Sequence, residues 1–233
     1  MKLILLLLLA VLALAGCTGS TPAATPTTVP GTSDYETVAL PEARLTGNVS
    51  LEETLLNRRS VRQYTGEALT LEEVSQLLWA AQGITASWGG RTAPSAGALY
   101  PLEVYLVAGN VKGLAPGVYK YKPDRHELIW VKGKDVRVEL AQAALSQAPV
   151  RDGAIDIVIS AVYERTTRKY GDRGIRYVHM EAGHAAQNIY LQATALGLGT
   201  VTIGAFDDEL VEEILSMPEE EASLYIIPVG RRD

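Results

Sequence analysis

The stretch from about Tyr177 to Leu196 constrains the fold of this chain more than any other part of its sequence. Small and apolar side chains recur there at helical spacing, and Gly197 follows at a position that favours a helix end. The members of this stripe are Ala182, Ala185, Ala186, Ile189, Ala193 and Leu196. Alanines let a neighbouring element approach closely, so the stripe predicts a helix buried at the centre of the fold. A chain of 233 residues is long enough to build a core around it.

The order of the remaining elements indicates an α+β fold. Ser50 and Thr70 each open a capping box, which predicts helices from Leu51 to about Arg59 and from about Leu71 to Gly83. Further expectations are strands over 102–109, 154–163 and 223–230, a hairpin around 123–124, a helix over 135–147 and a helix after Asp207. No strand–helix–strand unit repeats, which argues against a doubly wound sheet.

The N-terminus predicts a lipoprotein signal rather than part of the fold. Lys2 precedes an apolar run that ends in Leu14-Ala15-Gly16-Cys17, and this ending resembles the lipobox of prokaryotic lipoproteins. The resemblance implies a signal peptide over 1–16, a lipid on Cys17 and a domain held on the extracytoplasmic side of the cell membrane. An ordinary signal peptide with an unrelated cysteine, or a simple membrane anchor, remains the alternative. Cys17 is the only cysteine, so the folded part is expected to have no disulfide and no thiol chemistry.

A tether is expected between the lipid and the domain. Residues 18–33 are uncharged and rich in Thr and Pro, a composition that cannot bury enough apolar surface to order itself. Residues 34–48 are mixed and are expected to lie along the domain surface. The predicted tether therefore spans 17–48, and the folded domain spans 49–233.

Several function classes find no support in the sequence. The net charge of −6 provides no general basic field for nucleic acid. His179 and His184 lie five residues apart on the long helix, so their rings point about 140° away from each other and predict no shared metal site. The sequence contains neither a G-x-S-x-G nucleophile elbow nor a Rossmann or Walker loop in the required context.

Four short stretches together favour a phosphorylated heterocycle as ligand. NRRSVR, over residues 57–62, offers guanidinium and hydroxyl donors that suit a phosphate monoester, although a run of charges is also typical of a solvated helix end. PSAGALYP, over 94–101, and TIGAF, over 202–206, expose backbone that a flat ring could approach. The chain ends with more guanidinium in Gly230-Arg231-Arg232. A phosphate at one end and a flat ring at the other describe a mononucleotide.

The same stretches resemble the nitroreductase superfamily of flavin enzymes. RRSVRQYTGEALTLEEVSQLLWAAQG is similar to its opening, and APSAGALYPLEVYLV with RYVHMEAGHAAQNIYLQATALGLGTVTIGAFDD resembles its SagB-type dehydrogenase branch. The resemblance spans about 49–233. It implies an α+β fold around a central antiparallel sheet flanked by helices, a homodimer, and FMN at the dimer interface.

The resemblance also implies which residues bind FMN. Arg58, Ser60 and Arg62 are expected to hold its phosphate and ribityl chain with help from Arg231, whereas Arg59 is expected to face solvent or a partner. The predicted isoalloxazine contacts are Pro94, Ser95, Ala96 and Gly97, reaching across the homodimer interface, and Ile203, Gly204 and Ala205 along the flavin edge. Many nitroreductases have an acidic side chain where Gly204 stands, so any role of that carboxylate is absent here.

The reaction is less closely specified than the cofactor. Lys169-Tyr170 resembles the pair that azoline-oxidising relatives use for proton removal, which makes both residues candidate catalytic groups. The alternative is that RTTRKYGDR, over 165–173, forms a mobile charged loop. Tyr177 and Glu181 are further candidates to line the pocket. The expected function is an FMN-dependent oxidoreductase that acts on a small molecule. The alternatives are a peptide azoline dehydrogenase and a lipoprotein that binds flavin or another ligand without turnover.

Overall fold

The computed structural model describes residues 37–233. The signal peptide, Cys17 and the Thr- and Pro-rich segment lie outside the described residues. The strands are β1 Thr37–Ala39, β2 Leu69–Thr70, β3 Leu102–Ala108, β4 Val111–Lys112, β5 Gly117–Lys122, β6 Glu127–Lys132, β7 Ile155–Ala161, β8 Leu198–Thr200 and β9 Ala222–Arg231. The helices are α1 Leu51–Asn57, α2 Leu71–Gln82, α3 Arg137–Ala143, α4 Ala148–Asp152, α5 Glu164–Tyr170, α6 Arg173–Ala195 and α7 Asp208–Leu215.

Seven strands form one sheet in the order β1-β6-β5-β3-β7-β9-β8, and every neighbouring pair in it is antiparallel. Strands β2 and β4 form a separate short parallel pair. The α+β class with a central antiparallel sheet is therefore confirmed.

The two faces of this sheet are covered by different helices. Alternate residues of β3 point to opposite faces, so Leu106 packs in the core with residues of α2 and α6, whereas Val107 packs with residues of α3 and α7. Strand β7 lies between the two layers and is buried along its whole length. Helix α6 is thus a core helix, as its alanine stripe predicts, and it begins four residues earlier than expected, at Arg173.

Both predicted helix starts are confirmed in atomic detail. The Ser50 hydroxyl accepts a hydrogen bond from the backbone N–H of Glu53 at 3.1 Å. Thr70 and Glu73 form a complete capping box, and Gly83 follows the last residue of α2. These caps fix where α1 and α2 begin. Helix α1 ends at Asn57, and the Arg58–Arg62 segment leaves it after the Arg58 N–H has donated to the Thr54 carbonyl.

Three predictions about local structure are wrong. The helix expected over 135–147 ends early, at Ala143, because Leu145 and Ser146 adopt positive φ values of 57° and 60° that no helix tolerates, and the separate helix α4 begins after them. The charged stretch 165–173 is not a loop but forms most of α5 and the first residue of α6. The sheet also includes β1, whose residues pair with β6, so the folded part begins before Val49 and the predicted tether cannot extend to residue 48.

Within residues 37–233, no helix is both long enough and apolar enough to cross a membrane.

Candidate functional site

Three distant parts of the chain meet at the side chain of Tyr190 on α6. The Ser60 hydroxyl lies 3.0 Å from the Tyr190 hydroxyl, and the backbone N–H of Thr202 donates to the same oxygen at 2.8 Å. The Arg58 guanidinium lies over the Tyr190 ring, 5.1 Å from its centre. The end of α1, the middle of α6 and the segment after β8 therefore form one polar cluster, which we call the Tyr190 cluster.

The Tyr190 cluster stabilises negative charge on oxygen. Burial alone raises the pKa of the Tyr190 phenol, but the hydrogen bonds with Ser60 and Thr202 and the positive charge of Arg58 outweigh it, so the pKa lies below its ordinary value. A phenol is more acidic only where the surroundings favour its anion. The same positive potential of Arg58 would favour a phosphate group beside this position.

The backbone around Ser60 is tied to the edge strand β8. Ser60 bridges Thr200, and the Val61 N–H donates to the Thr200 carbonyl at 2.9 Å. A Cβ added to Gly199 would lie 2.7 Å from the Val61 side chain and 3.4 Å from the Cβ of Arg232. Glycine at 199 therefore lets the Ser60 segment lie against the sheet, and it also brings the start of the Arg232 side chain beside that segment.

Arg231 is not brought to the Tyr190 cluster. Its guanidinium forms an ion pair with Glu73, at 2.9 and 3.1 Å to the two carboxylate oxygens, and donates to the Ala68 carbonyl at 3.2 Å. Neighbouring residues at the end of a strand point to opposite faces of the sheet. Arg231 points toward α2, and Arg232, the next residue, points toward Val61. Arg232 was not among the residues expected to bind FMN. The alternation of side chains along Gly230-Arg231-Arg232 could have indicated it as the alternative to Arg231 for contacting the phosphate.

The other two arginines of the run have separate surroundings. Arg59 is exposed and donates to the carbonyls of Leu56 and Arg58, at 3.0 and 2.7 Å, which ends α1 rather than building a site. Arg62 is also exposed and lines a cavity of about 630 Å³ together with Tyr64 and Asp152. Among the hydrogen bonds and ion pairs of residues 37–233, none joins Arg62 to Ser60, so its role as a phosphate ligand stays a prediction.

The Pro94–Gly97 segment lies against the predicted catalytic pair. Gly97 has φ 64°, and a Cβ added there would lie 2.8 Å from the Tyr170 hydroxyl and 2.9 Å from Lys169 Nζ. The backbone N–H of Ala96 donates to the Glu181 carboxylate at 2.8 Å. The structure thus brings together the small-residue loop, the Lys169-Tyr170 pair at the end of α5, and Glu181.

The predicted flavin-edge segment begins at a bridge to β9. Ile203 exchanges two backbone hydrogen bonds with Ile226, at 2.8 and 2.9 Å, and after it Gly204 and Ala205 are exposed. Gly204 lines a cavity of about 630 Å³. The Tyr163 hydroxyl and His179 Nε2, 2.6 Å apart, belong to the same cavity.

The Tyr190 cluster and the Pro94–Gly97 loop lie on opposite sides of α6. Tyr190 and Glu181, their contacts on this helix, are nine residues apart, which is about two and a half turns and about 13.5 Å along the axis. Half a turn separates the directions of the two side chains. One chain therefore does not bring the two halves of the predicted FMN site onto the same side of α6.

Comparison with known proteins identifies the family. A model of the nitroreductase family matches residues 55–231. The chain belongs to the nitroreductase family. A provisionally named nitroreductase of Methanocaldococcus jannaschii is 53% identical to it over 184 residues, which cover 79% of this chain and 92% of that protein.

Two further members of the nitroreductase family have more specific names. The NADPH-dependent FMN reductase of Bacillus subtilis is 28% identical over 76% of this chain and 64% of its own length. The microcin B17-processing protein of Escherichia coli is 29% identical over 59% of this chain and 52% of its own length. The chain thus spans less than two thirds of either protein.

Solved structures of the nitroreductase family share this fold. A provisionally assigned nitroreductase from Ralstonia eutropha superimposes with a TM-score of 0.74 and 31% identity, over 87% of this chain and 92% of that one. A second one, from Anabaena variabilis, gives a TM-score of 0.71 and 37% identity over 78% of this chain. The aligned part covers only 38% of the Anabaena chain.

Proposed function

We propose that this member of the nitroreductase family is an FMN-dependent oxidoreductase that acts on a small molecule. The Tyr190 cluster carries the proposal, because the Arg58 guanidinium and the Ser60 hydroxyl make this place favourable for an anion. The terminal phosphate of FMN fits that chemistry. The curated relative in Bacillus subtilis, whose name is FMN reductase, supports the choice of cofactor.

The residues of this chain have separate roles around the cofactor. Arg58, Ser60 and Arg232 would bind the phosphate, and Arg62 stands at the exposed side of the same segment. Gly204 and Ala205 offer exposed backbone without bulky side chains, which suits close approach along the edge of a flat ring. FMN, when bound, supplies the hydride and electron chemistry. The protein supplies position, electrostatics and exclusion of water.

The complete site requires two copies of the chain. The Pro94–Gly97 loop reaches the opposite side of α6 from the Tyr190 cluster, so it would serve the cofactor bound by a second chain, and the second chain would return the contact. This arrangement is an isologous homodimer with two equivalent sites.

Lys169 and Tyr170 are the proposed groups that exchange a proton with the substrate. They are adjacent on the last turn of α5, and Lys169 Nζ lies 5.4 Å from the centre of the Tyr170 ring. The Tyr170 ring also meets the Tyr177 ring edge to face at 5.2 Å, which limits its freedom. A proton would be held or taken at Lys169 Nζ or at the Tyr170 hydroxyl, both of which lie against Gly97.

The proposed location of the enzyme is the cell membrane, with the domain on the extracytoplasmic side and a lipid on Cys17. The support is the apolar run ending in Leu14-Ala15-Gly16-Cys17. A labelled fatty acid supplied to growing cells should be incorporated into the wild type and not into Cys17→Ser. A wild type that incorporates no label would contradict lipidation.

A second candidate function is peptide azoline dehydrogenation. Lys169-Tyr170 and the similarity to the microcin B17-processing protein favour it. In that case Lys169→Ala would abolish oxidation of an azoline-containing peptide while FMN binding remained. If the wild type does not oxidise such a peptide but reduces small acceptors, the candidate fails.

The experiment that tests the main proposal begins with the colour of the purified protein. We expect a yellow protein, or one that takes up FMN on reconstitution, that releases FMN on denaturation. After chemical reduction, a quinone or a nitroaromatic should reoxidise it faster than it reoxidises free FMN. A colourless protein that cannot be reconstituted would refute FMN binding, whereas bound FMN without acceleration for any acceptor would favour a ligand-binding lipoprotein.

A further inference from the structure

Glu181 is a buried carboxylate on α6 that touches the small-residue loop. Its residue is only 4% exposed, and one carboxylate oxygen accepts the Ala96 N–H at 2.8 Å. The Ser95 hydroxyl lies close enough to favour the charged form of this carboxylate. One side chain of the core helix therefore holds the loop at Ala96 and interacts with the residue before it.

The loop has a conformation that needs such support. Gly97, Ala98 and Tyr100 have φ values of 64°, 53° and 46°. Left-handed backbone costs a non-glycine residue roughly 1–2 kcal/mol, so this shape persists only where contacts stabilise it. Within the loop, the Ser95 hydroxyl accepts the Tyr100 N–H at 2.9 Å, and the Ser95 carbonyl accepts the Ala98 N–H at 3.1 Å. Ser95 is thus central to the turn, and Glu181 holds the next residue, Ala96.

The surroundings of Glu181 suit a hydrogen-bond acceptor. Burial raises the pKa of its carboxyl, while the Ala96 N–H, the Ser95 hydroxyl and the positive charges of His184 and Arg91 oppose that rise without cancelling it. Protonated or not, the group keeps an oxygen that can accept the Ala96 N–H. Its function in the loop therefore depends on acceptor geometry more than on charge.

We propose that Glu181 is a positioning residue that fixes the Pro94–Gly97 loop in the shape in which Gly97 packs against Lys169 and Tyr170. The contact exists within one chain, so the loop is ordered before a cofactor or a second chain arrives. The consequence for catalysis rests on the proposed function, because the ordered loop matters to a flavin only if the loop contacts one. Glu181 would then act on the cofactor through Ser95 and Ala96.

Two substitutions at this position separate the acceptor role from simple packing. Glu181→Met keeps the length of the side chain and its helix propensity but removes the acceptor, whereas Glu181→Gln keeps an acceptor oxygen of the same reach. Met180→Ala is the matched control, because Met180 is the neighbouring residue on α6 and is 52% exposed.

The first readout is hydrogen exchange of the cofactor-free protein. We expect the Ala96 amide to exchange about fivefold to tenfold faster in Glu181→Met, since its hydrogen bond to the Glu181 oxygen is lost, with α6 amides still protected. Glu181→Gln and Met180→Ala should exchange as the wild type does. An Ala96 amide unaffected by Glu181→Met would overturn the proposal, and so would equal losses in the Gln and Met variants.

The second readout is the visible circular dichroism of bound FMN. Glu181→Met should change the sign or intensity of the flavin bands, and Glu181→Gln should restore the wild-type spectrum. If the wild type binds no FMN, the proposed function fails, but the exchange result still decides whether Glu181 orders the loop. A changed exchange rate with an unchanged flavin spectrum would overturn the link between Glu181 and the cofactor.

Discussion

A mixed dimer tests whether the FMN site is shared between two chains. One chain carries Arg58→Ala and the other carries Gly97→Val, each with its own affinity tag so that the heterodimer can be purified. The Gly97→Val chain provides an intact Arg58, and the Arg58→Ala chain provides an intact loop. If the loop of each chain serves the partner's cofactor, one of the two sites is wild type and the other has both defects.

The size of each defect follows from the structure. Arg58→Ala removes a guanidinium from the Tyr190 cluster, and a hydrogen bond to a charged group contributes about 1.5–3 kcal/mol, so FMN affinity should fall about 10- to 150-fold. Gly97→Val puts a branched side chain at φ 64° and a Cβ within 2.9 Å of Lys169 Nζ and 2.8 Å of the Tyr170 hydroxyl. Either the loop or the ends of the Lys169 and Tyr170 side chains must move to relieve this contact, in addition to a backbone cost of roughly 1–2 kcal/mol.

The assay is a fluorescence titration of FMN into each dimer. Both variant homodimers should bind weakly at both sites, whereas the mixed dimer should regain one site of wild-type affinity for each pair of chains. Arg59→Ala is the matched control, because Arg59 donates only to carbonyls at the end of α1 and its loss should leave both sites intact. A mixed dimer with no strong site would show that each FMN is bound within one chain. That result would contradict the inference that the Tyr190 cluster and the Pro94–Gly97 loop of one chain serve different cofactors.

Three further predictions concern single side chains. Arg232→Ala should weaken FMN binding at least about tenfold in a titration with FMN. Arg231→Ala should leave FMN affinity unchanged but, because it loses the ion pair with Glu73, should lower the free energy of unfolding in a urea melt by about 1 kcal/mol. Asp156 is fully buried, and neither oxygen of its carboxyl group has a hydrogen-bond partner. Burial raises the pKa of this carboxyl well above its ordinary value of 3.8. The folded chain then holds a proton that the unfolded chain releases. The free energy of unfolding should therefore fall by about 1.4 kcal/mol per pH unit as the pH rises from about 4 through the pKa of Asp156 in the folded chain. In urea melts at several pH values, Asp156→Asn should not show this pH dependence. Lys169→Ala should lower acceptor turnover by about 10²-fold or more without changing FMN affinity, and turnover equal to the wild type would exclude Lys169 as a proton-transfer group.

Local signals in the sequence predicted the frame of the fold. Capping at Ser50 and Thr70 depends on residues three apart, and the alanine stripe of α6 depends on residues three or four apart, so both can be read without knowing any long-range contact. The early end of the helix expected over 135–147 was hidden, because nothing in the composition of Leu145-Ser146 requires positive φ. Tertiary contacts decide that turn.

The candidate site was only partly predictable for a different reason. Tyr190 is 130 residues from Ser60 in sequence, and its hydroxyl meets Ser60 only through the register of α6 against β8. Arg231 and Arg232 are indistinguishable by composition, and only the direction of the last residues of β9 separates them. Residue type therefore indicated the kind of ligand, while the choice between neighbouring residues depended on long-range packing.

The proposed dimer also accounts for the apolar surface that α1 leaves uncovered. Leu51, Leu55 and Leu56 are 59%, 52% and 71% exposed on a helix that ends beside Arg58. A contiguous group of this kind is typical of a surface that another chain covers. A partner whose loop reaches a cofactor at Arg58 must approach the same end of α1, so one docking event would bury the leucines and complete the site. Charged substitutions at Leu55 and Leu56 should therefore weaken FMN binding and dimerisation together, although neither side chain belongs to the Tyr190 cluster.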